Sequence, residues 1–196
     1  MTRTGAAERT TAETRVNVTV TLEGTGQTEI STGLAFFDHM IDQVGTHGGL
    51  DLVVQAQGDL EIDAHHTVED VGIALGQALA DALGDKAGVR RFASAAVPLD
   101  EALVEVALDL SGRPFLHYDI DPPGEKILGD PPFDPQLMEE FWRAVVNAAG
   151  ITLHLSLVRG RNTHHVIESS AKGVARALRD AVAIEGTAVP STKGRL

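Results

Sequence analysis

The chain has 196 residues, a formal net charge of -12, eight histidines and no cysteine. That length suits one domain with a sizeable core, or two small halves packed together. The acidic balance argues against a general nucleic-acid or anionic-membrane surface, and the missing cysteines exclude disulfides and thiolate metal sites.

Aromatics make up only 4% of the chain, so aliphatic side chains and alanine must fill the core. No apolar run approaches the ~20 residues that span a bilayer, and MTRTGAAERTTAETR has no apolar stretch of the kind a secretory signal needs. The expectation is a cytoplasmic protein without a membrane or nucleic-acid partner.

Residues 15–24, RVNVTVTLEG, alternate strictly, with Val16, Val18, Val20 and Leu22 on one side. That pattern predicts a half-buried strand ended by Gly24. FFDHMIDQVGTHGGLDL (36–52) reads as a helix, a stop at Gly49 and a strand. Next comes HHTVED (65–70), opening a helix with Val68, Val71, Leu75 and Leu79 on one stripe. LVEVALDLSG (103–112) repeats the first strand 88 residues later. MEEFWRAVVNAAGITLHL (138–155) repeats the helix and strand at an offset of 101, with Gly150 as the breaker. HHVIES (164–169) repeats the histidine motif at an offset of 99 and opens a helix with Ile167, Val174 and Leu178 on its stripe. The largest insertion is the Pro/Gly-rich stretch 121–135.

An element order copied twice implies a duplication with pseudo-twofold symmetry. The expected class is α+β, an internally duplicated strand/helix unit with two sheets and helices packed between or against them. One domain is expected, built of halves at about 10–95 and 96–190, with 1–9 and 194–196 as flexible tails.

On a helix, His65 and Glu69 share a face, as do His164 and Glu168, because residues four apart are neighbours. His66 and His165 point about 100° away from their partners. Adjacent histidines therefore suit two metals, or one metal and one other role. Imidazole plus carboxylate suits Mn, Fe, Zn or Ni more than Ca or Mg. The repeat sets His39 opposite Glu140, ten residues before Gly49 and Gly150 respectively. His47 is either a substrate contact or a favourable charge at a helix C-terminus. His117 and His154 fall in strand-like segments and read as structural.

The segments FFDHMIDQVGTHGGLDL, AHHTVEDVGIALGQAL, DLSGRP, GITLH, GRNTHHVIESSAKGVARALR and PSTKG together resemble imidazoleglycerol-phosphate dehydratase, from about Glu13 to Lys193. The resemblance implies a ribosomal protein S5 domain 2-like duplicated fold, a homo-oligomer of 24 subunits with active sites between subunits, and two Mn2+ per site. It implies dehydration of imidazoleglycerol phosphate to imidazole-acetol phosphate, a step of histidine biosynthesis. One ion would take His39, His66, His164 and Glu168. The other would take His65, Glu69, His165 and Glu140, where the family often carries histidine. Substrate contacts would come from Glu13, the segment His39 to His47, His65, His66, Glu69, Arg91, Arg113, His164, Lys172, Ser191, Thr192 and Lys193. Acid/base work would fall to Glu13, with a neighbouring carboxylate, Glu69 or Glu168, or a metal-bound water as the alternative. The expected course runs through a metal-bound imidazolate and a diazafulvene-like intermediate. A dinuclear phosphate-ester hydrolase and a metal-clamped scaffold are the competing functions.

Overall fold

The computed structural model describes residues 2–121 and 127–196. Part of the Pro/Gly-rich insertion, 122–126, lies outside the described residues. Twelve elements follow in chain order: β1 (Thr4–Thr10), β2 (Thr14–Thr21), β3 (Thr28–Ser31), α1 (Ala35–Gly48), β4 (Asp51–Gly58), α2 (His65–Leu83), β5 (Phe92–Leu99), β6 (Ala102–Asp109), β7 (Phe115–Asp119), α3 (Leu137–Ala149), β8 (Thr152–Arg159) and α4 (Thr163–Ala181).

The strands form two four-stranded sheets, ordered β1-β2-β4-β3 and β5-β6-β8-β7. In each, an antiparallel hairpin is joined by a third antiparallel strand, and the fourth strand runs parallel to that one. The class is α+β, and the second sheet repeats the topology of the first.

The helices lie between the sheets. α2 covers β1 and β2, α4 covers β5 and β6, and the halves meet helix on helix, α1 against α4 and α2 against α3. The alternation read in β2 and β6 sends Val16, Val18, Val20, Val104, Val106 and Leu108 into this layer, each no more than 3% exposed. The predicted breakers act as expected: Gly49 and Gly150 close α1 and α3 with φ of 64° and 63°, a left-handed turn that a Cβ would strain.

The structure differs from the sequence reading at the N-terminus. Residues 1–9 were expected to be a flexible tail, but Thr4–Thr10 form edge strand β1, in register with β2 from Thr4↔Thr21 to Thr10↔Arg15. Its inner face consists of Gly5, Ala7 and Arg9, two small residues and a charged one that do not register as a hydrophobic pattern. Gly5 lies directly on α2, where a Cβ would sit 2.1 Å from the Ala78 carbonyl oxygen. At the other end, the backbone of Leu196 lies against Gly112.

Candidate metal and substrate site

α1 and α4 run side by side and bring three candidate ligands together. His39 comes from α1; His164 and Glu168, one turn apart, come from the first turns of α4. Glu168 Oε2 lies 2.8 Å from His164 Nε2 and 3.6 Å from His39 Nε2. Their ligand atoms all fall within 4.8 Å of one another, and no other such group of three forms among the described residues.

The surroundings hold this trio in place. Asn162 caps α4 by accepting from the backbone N–H groups of His164 and His165, which fixes where the helix begins. The Phe36 ring meets His164 edge-on at 5.4 Å. The Gln43 amide bridges His39 Nδ1 at 3.3 Å and His47 Nε2 at 3.2 Å, linking three residues spaced four apart on α1. Lys172, the next turn of α4, donates to Glu168 Oε1 at 2.6 Å.

The electrostatics suit a ligand set. Burial pushes the Glu168 carboxyl up, but hydrogen bonds from Lys172 and His164 outweigh it and hold the group below its ordinary value. Burial and the nearby Lys172 charge push the His47 pKa down, favouring the neutral ring. A carboxylate and two imidazole nitrogens converging on one point fit a transition-metal dication. The ion would replace the proton shared by His164 and Glu168.

The adjacent histidines diverge as the helical period predicts. His164 and His165 have ring planes 87° apart, and His65 and His66 89°. His66 turns away from the trio: its Nδ1 faces Asp59 Oδ2 at 3.0 Å and Glu13 Oε2 at 3.7 Å. The hydrogen bond to Asp59 raises the His66 pKa. His165 Nδ1 faces Glu101 Oε2 at 2.8 Å. Glu101 Oε1 accepts from the backbone N–H groups of Asn162 and Arg161 at 2.7 and 3.1 Å. The hydrogen bond from His165, then those from Asn162 and Arg161, hold the Glu101 carboxyl down at about 2.

His65 and Glu140 line one cavity of about 580 Å³ between the start of α2 and the start of α3. Glu69 is exposed one turn along α2. Glu140 lies 3.7 Å from Arg143 Nε. Within one chain, then, His65, Glu69, Glu140 and His165 do not close into a group like the first.

The candidate anion-binding residues are spread: Lys172 lies at the trio, while the others stand apart from it. Arg91, at φ 77°, forms a two-pronged ion pair with Asp109 and donates to the Pro190 carbonyl at 2.8 Å, tying it to the segment carrying Ser191, Thr192 and Lys193. Ser191 Oγ accepts from the Lys193 backbone N–H at 3.2 Å. Arg113 is exposed beside Gly112, where the chain's last residue rests. His117 and His154 face each other across β7 and β8 with ring centroids 5.5 Å apart, on the exposed face of the second sheet.

Asp59, Glu101 and Asp70 escaped the sequence reading, and Gln43 entered it only as part of the segment His39 to His47. Asp70 is buried, takes an ion pair from Arg9 at 2.7 Å and accepts from the Thr14 hydroxyl, pinning the turn that carries Glu13 to the start of α2. For Glu101 a signal existed: it stands 88 residues after Glu13, the offset of the matched strands.

Residues 32–178 match the protein family described as Imidazoleglycerol-phosphate dehydratase. The chain is 56% identical over 195 residues to the imidazoleglycerol-phosphate dehydratase of Anaeromyxobacter sp. (strain K), covering 99% of this chain and 92% of that one. It is 54% identical to the enzyme of Acidiphilium cryptum over the full length of both. Among solved structures, imidazoleglycerol-phosphate dehydratase from Staphylococcus aureus superposes with a TM-score of 0.82 at 39% identity, covering 92% of this chain and 99% of that one. The Pyrococcus furiosus enzyme, in complex with (S)-C348, gives 0.82 at 35% identity over 96% and 99%.

Proposed function

Because the chain belongs to the imidazoleglycerol-phosphate dehydratase family, we propose that the cluster of His39, His164 and Glu168 is the core of a metal-dependent site. There imidazoleglycerol phosphate loses water to give imidazole-acetol phosphate in histidine biosynthesis. The enzyme is a hydro-lyase. The observation that carries the site is the convergence of those three ligand atoms within 4.8 Å.

Two manganese ions per site are proposed. One would be held by His39, His66, His164 and Glu168, the other by His65, Glu69, Glu140 and His165. The separation of His66 and of the second set from the trio supports sites completed by neighbouring chains. A homo-oligomer, proposed as 24 subunits, supplies those neighbours. Exposed Phe92, Phe115 and Val158 on or beside the second sheet, between 48% and 58% accessible, are apolar area that such contacts would cover. No described helix is long and apolar enough to cross a membrane; a cytoplasmic location is the proposal that fits a biosynthetic enzyme.

The metals, when bound, would act as Lewis acids that hold the substrate ring as imidazolate. The reaction needs an electron sink, which the ring becomes only once the C3 hydroxyl has left, because the proton lost from C2 has no carbonyl beside it. Loss of the C3 hydroxyl would then give a diazafulvene-like species, and loss of the C2 proton an enol that becomes the ketone.

Glu13 is the proposed acid/base group. Its side chain is 52% exposed and its closest ionic neighbour is His66 Nδ1 at 3.7 Å, so its oxygens are free for substrate. The Thr11 hydroxyl accepts from the backbone N–H groups of Glu13 and Thr14, which shapes the turn. Glu69 and Glu168 would be the neighbouring carboxylates that could share this role. Arg91, Arg113, Lys172, Ser191, Thr192 and Lys193 supply the charge and donors a phosphate ester requires in an acidic chain. His47 and Gln43 orient His39.

The test is turnover of imidazoleglycerol phosphate by chelator-stripped protein, with and without added Mn2+, read as formation of the enolisable ketone. Activity restored by the metal is expected; release of inorganic phosphate instead would overturn the reading. Glu13→Gln should abolish most turnover with metal content intact, and wild-type turnover by that variant would remove Glu13 from its role.

A further inference from the structure

Glu13 and Glu101 hold matched places in the repeat. Val16 pairs with Val104 and Val18 with Val106 at an offset of 88, and the same offset carries Glu13 to Glu101. Glu13 lies between β1 and β2, and Glu101 between β5 and β6. Each stands beside the second histidine of its own half's motif, Glu101 at 2.8 Å from His165 Nδ1 and Glu13 at 3.7 Å from His66 Nδ1.

The two halves have divided the work differently. In the second half Glu101 is fixed by two backbone N–H groups and takes the His165 ring directly. In the first half Asp59, at the foot of β4, takes the matching ring at 3.0 and 3.2 Å. Position 59 plus the motif offset of 99 is Val158, which has no group to offer. So Asp59 replaces the turn glutamate in the first half, and Glu13 is left unclaimed.

An ionised carboxylate only accepts hydrogen bonds. A ring whose Nδ1 meets one must carry its proton there, which leaves the Nε2 lone pair on the opposite side of the ring; for His165 the nearest charged group on that side is the exposed Asp100 carboxylate, at 3.8 Å. Pairing at Nδ1 is the arrangement by which carboxylates orient metal-bound imidazoles and raise their basicity. We infer that Glu101 and Asp59 are positioning residues that hold His165 and His66 in the tautomer and orientation that bind metal through Nε2. The same division frees Glu13 for proton transfer. This inference rests on the metal site proposed above.

The experiment equilibrates full-length holoenzyme with buffered free Mn2+ and reads retained metal by atomic absorption, alongside melting of the metal-free protein. Glu101→Gln and Asp59→Asn should each weaken Mn2+ retention by about 10- to 100-fold, while the metal-free proteins still melt cooperatively, Glu101→Gln slightly below wild type because its carboxylate is held by three hydrogen bonds. Glu13→Gln, the matched glutamate, should lose turnover and keep wild-type retention. Wild-type retention in both Glu101→Gln and Asp59→Asn would overturn the inference, as would a lowered metal-free melting temperature with retention unchanged. If one of these variants does not fold, the other decides alone. A wild-type protein that retains no Mn2+ would instead bring down the metal site itself, and the inference with it.

Discussion

α1 with α4, and α3 with α2, are the same helix pair in the two copies of the repeat, yet only one gathers a ligand group. On α1 and α4, His39 meets His164 and Glu168. On α3 and α2, the matched residues Glu140, His65 and Glu69 stay apart, and a cavity opens between His65 and Glu140. The packing beneath differs too. Gly72 and Gly76 of α2 face α3, where a Cβ would come 2.8 Å from the Phe141 carbonyl oxygen and 2.6 Å from that of Val145. Their counterparts on α4, 99 residues on, are Ala171 and Ala175, both fully buried. The reverse holds toward the sheets: Gly173 of α4 lies on Val106, with a Cβ at 2.7 Å, while its counterpart on α2 is buried Ala74. A duplicated pattern therefore does not give duplicated contacts. Which face of the helix lacks a Cβ decides which neighbour comes close.

The largest test of this contrast strikes the closed trio. Glu168→Gln should lower turnover by about three orders of magnitude, the size expected when several kcal/mol of metal-based charge stabilisation is lost. At the open pair, Glu140→His should keep metal retention and turnover, while Glu140→Ala should lose metal. Equal activity in Glu140→Ala and the wild type would remove residue 140 from the ligand set.

Packing comes next in size. Gly72→Ala forces a methyl against the α3 backbone and should cost about 1–3 kcal/mol. That is a melting point lower by about 2–4 °C for each kcal/mol in a chain of this length. The mirror change Ala171→Gly meets no clash and should cost about 1 kcal/mol, from helix propensity. If Gly72→Ala melts no lower than Ala171→Gly, the asymmetry between the helix pairs has no energetic weight.

The smallest effect lies at the first edge. Arg3 donates to Glu23 through its backbone and side chain, and its guanidinium also reaches the Val182 carbonyl in the second half. Burial is the largest single influence and raises the Glu23 pKa, but the bonds and charge of Arg3 together outweigh burial and lower it. A depressed folded value means the stabilisation is present above the ordinary carboxylate range and is lost as pH falls through the folded value. The pair is partly solvated, so about 0–1 kcal/mol is at stake. Glu23→Gln should melt slightly below wild type at neutral pH, and the two curves should meet in acid.

The repeat, the strand faces of β2 and β6, the glycine stops and the divergence of neighbouring histidines were all legible in the sequence. Each depends on a local period or a local backbone requirement. β1 was not, because Gly5 and Ala7 are too small to mark a buried face. Asp59 was not, because a carboxylate in a turn looks like any solvated charge until a ring is found beside it; Glu101 was marked only by its offset of 88 from Glu13. The separation of the first histidine motif from the trio was invisible for a related reason: the motif fixes directions on one helix, not what the next helix brings.

The sequence by itself determined the architecture and its chemistry: a duplicated α+β unit, two histidine–glutamate helix starts, and a donor set without thiolates. Hydrophobic period and helical pitch act over a few residues and are written into the chain. Only the tertiary structure decided which ligands meet and which carboxylate serves which ring. Those outcomes turn on how the helices pack, and that depends on which positions one or two turns past each histidine motif lack a Cβ.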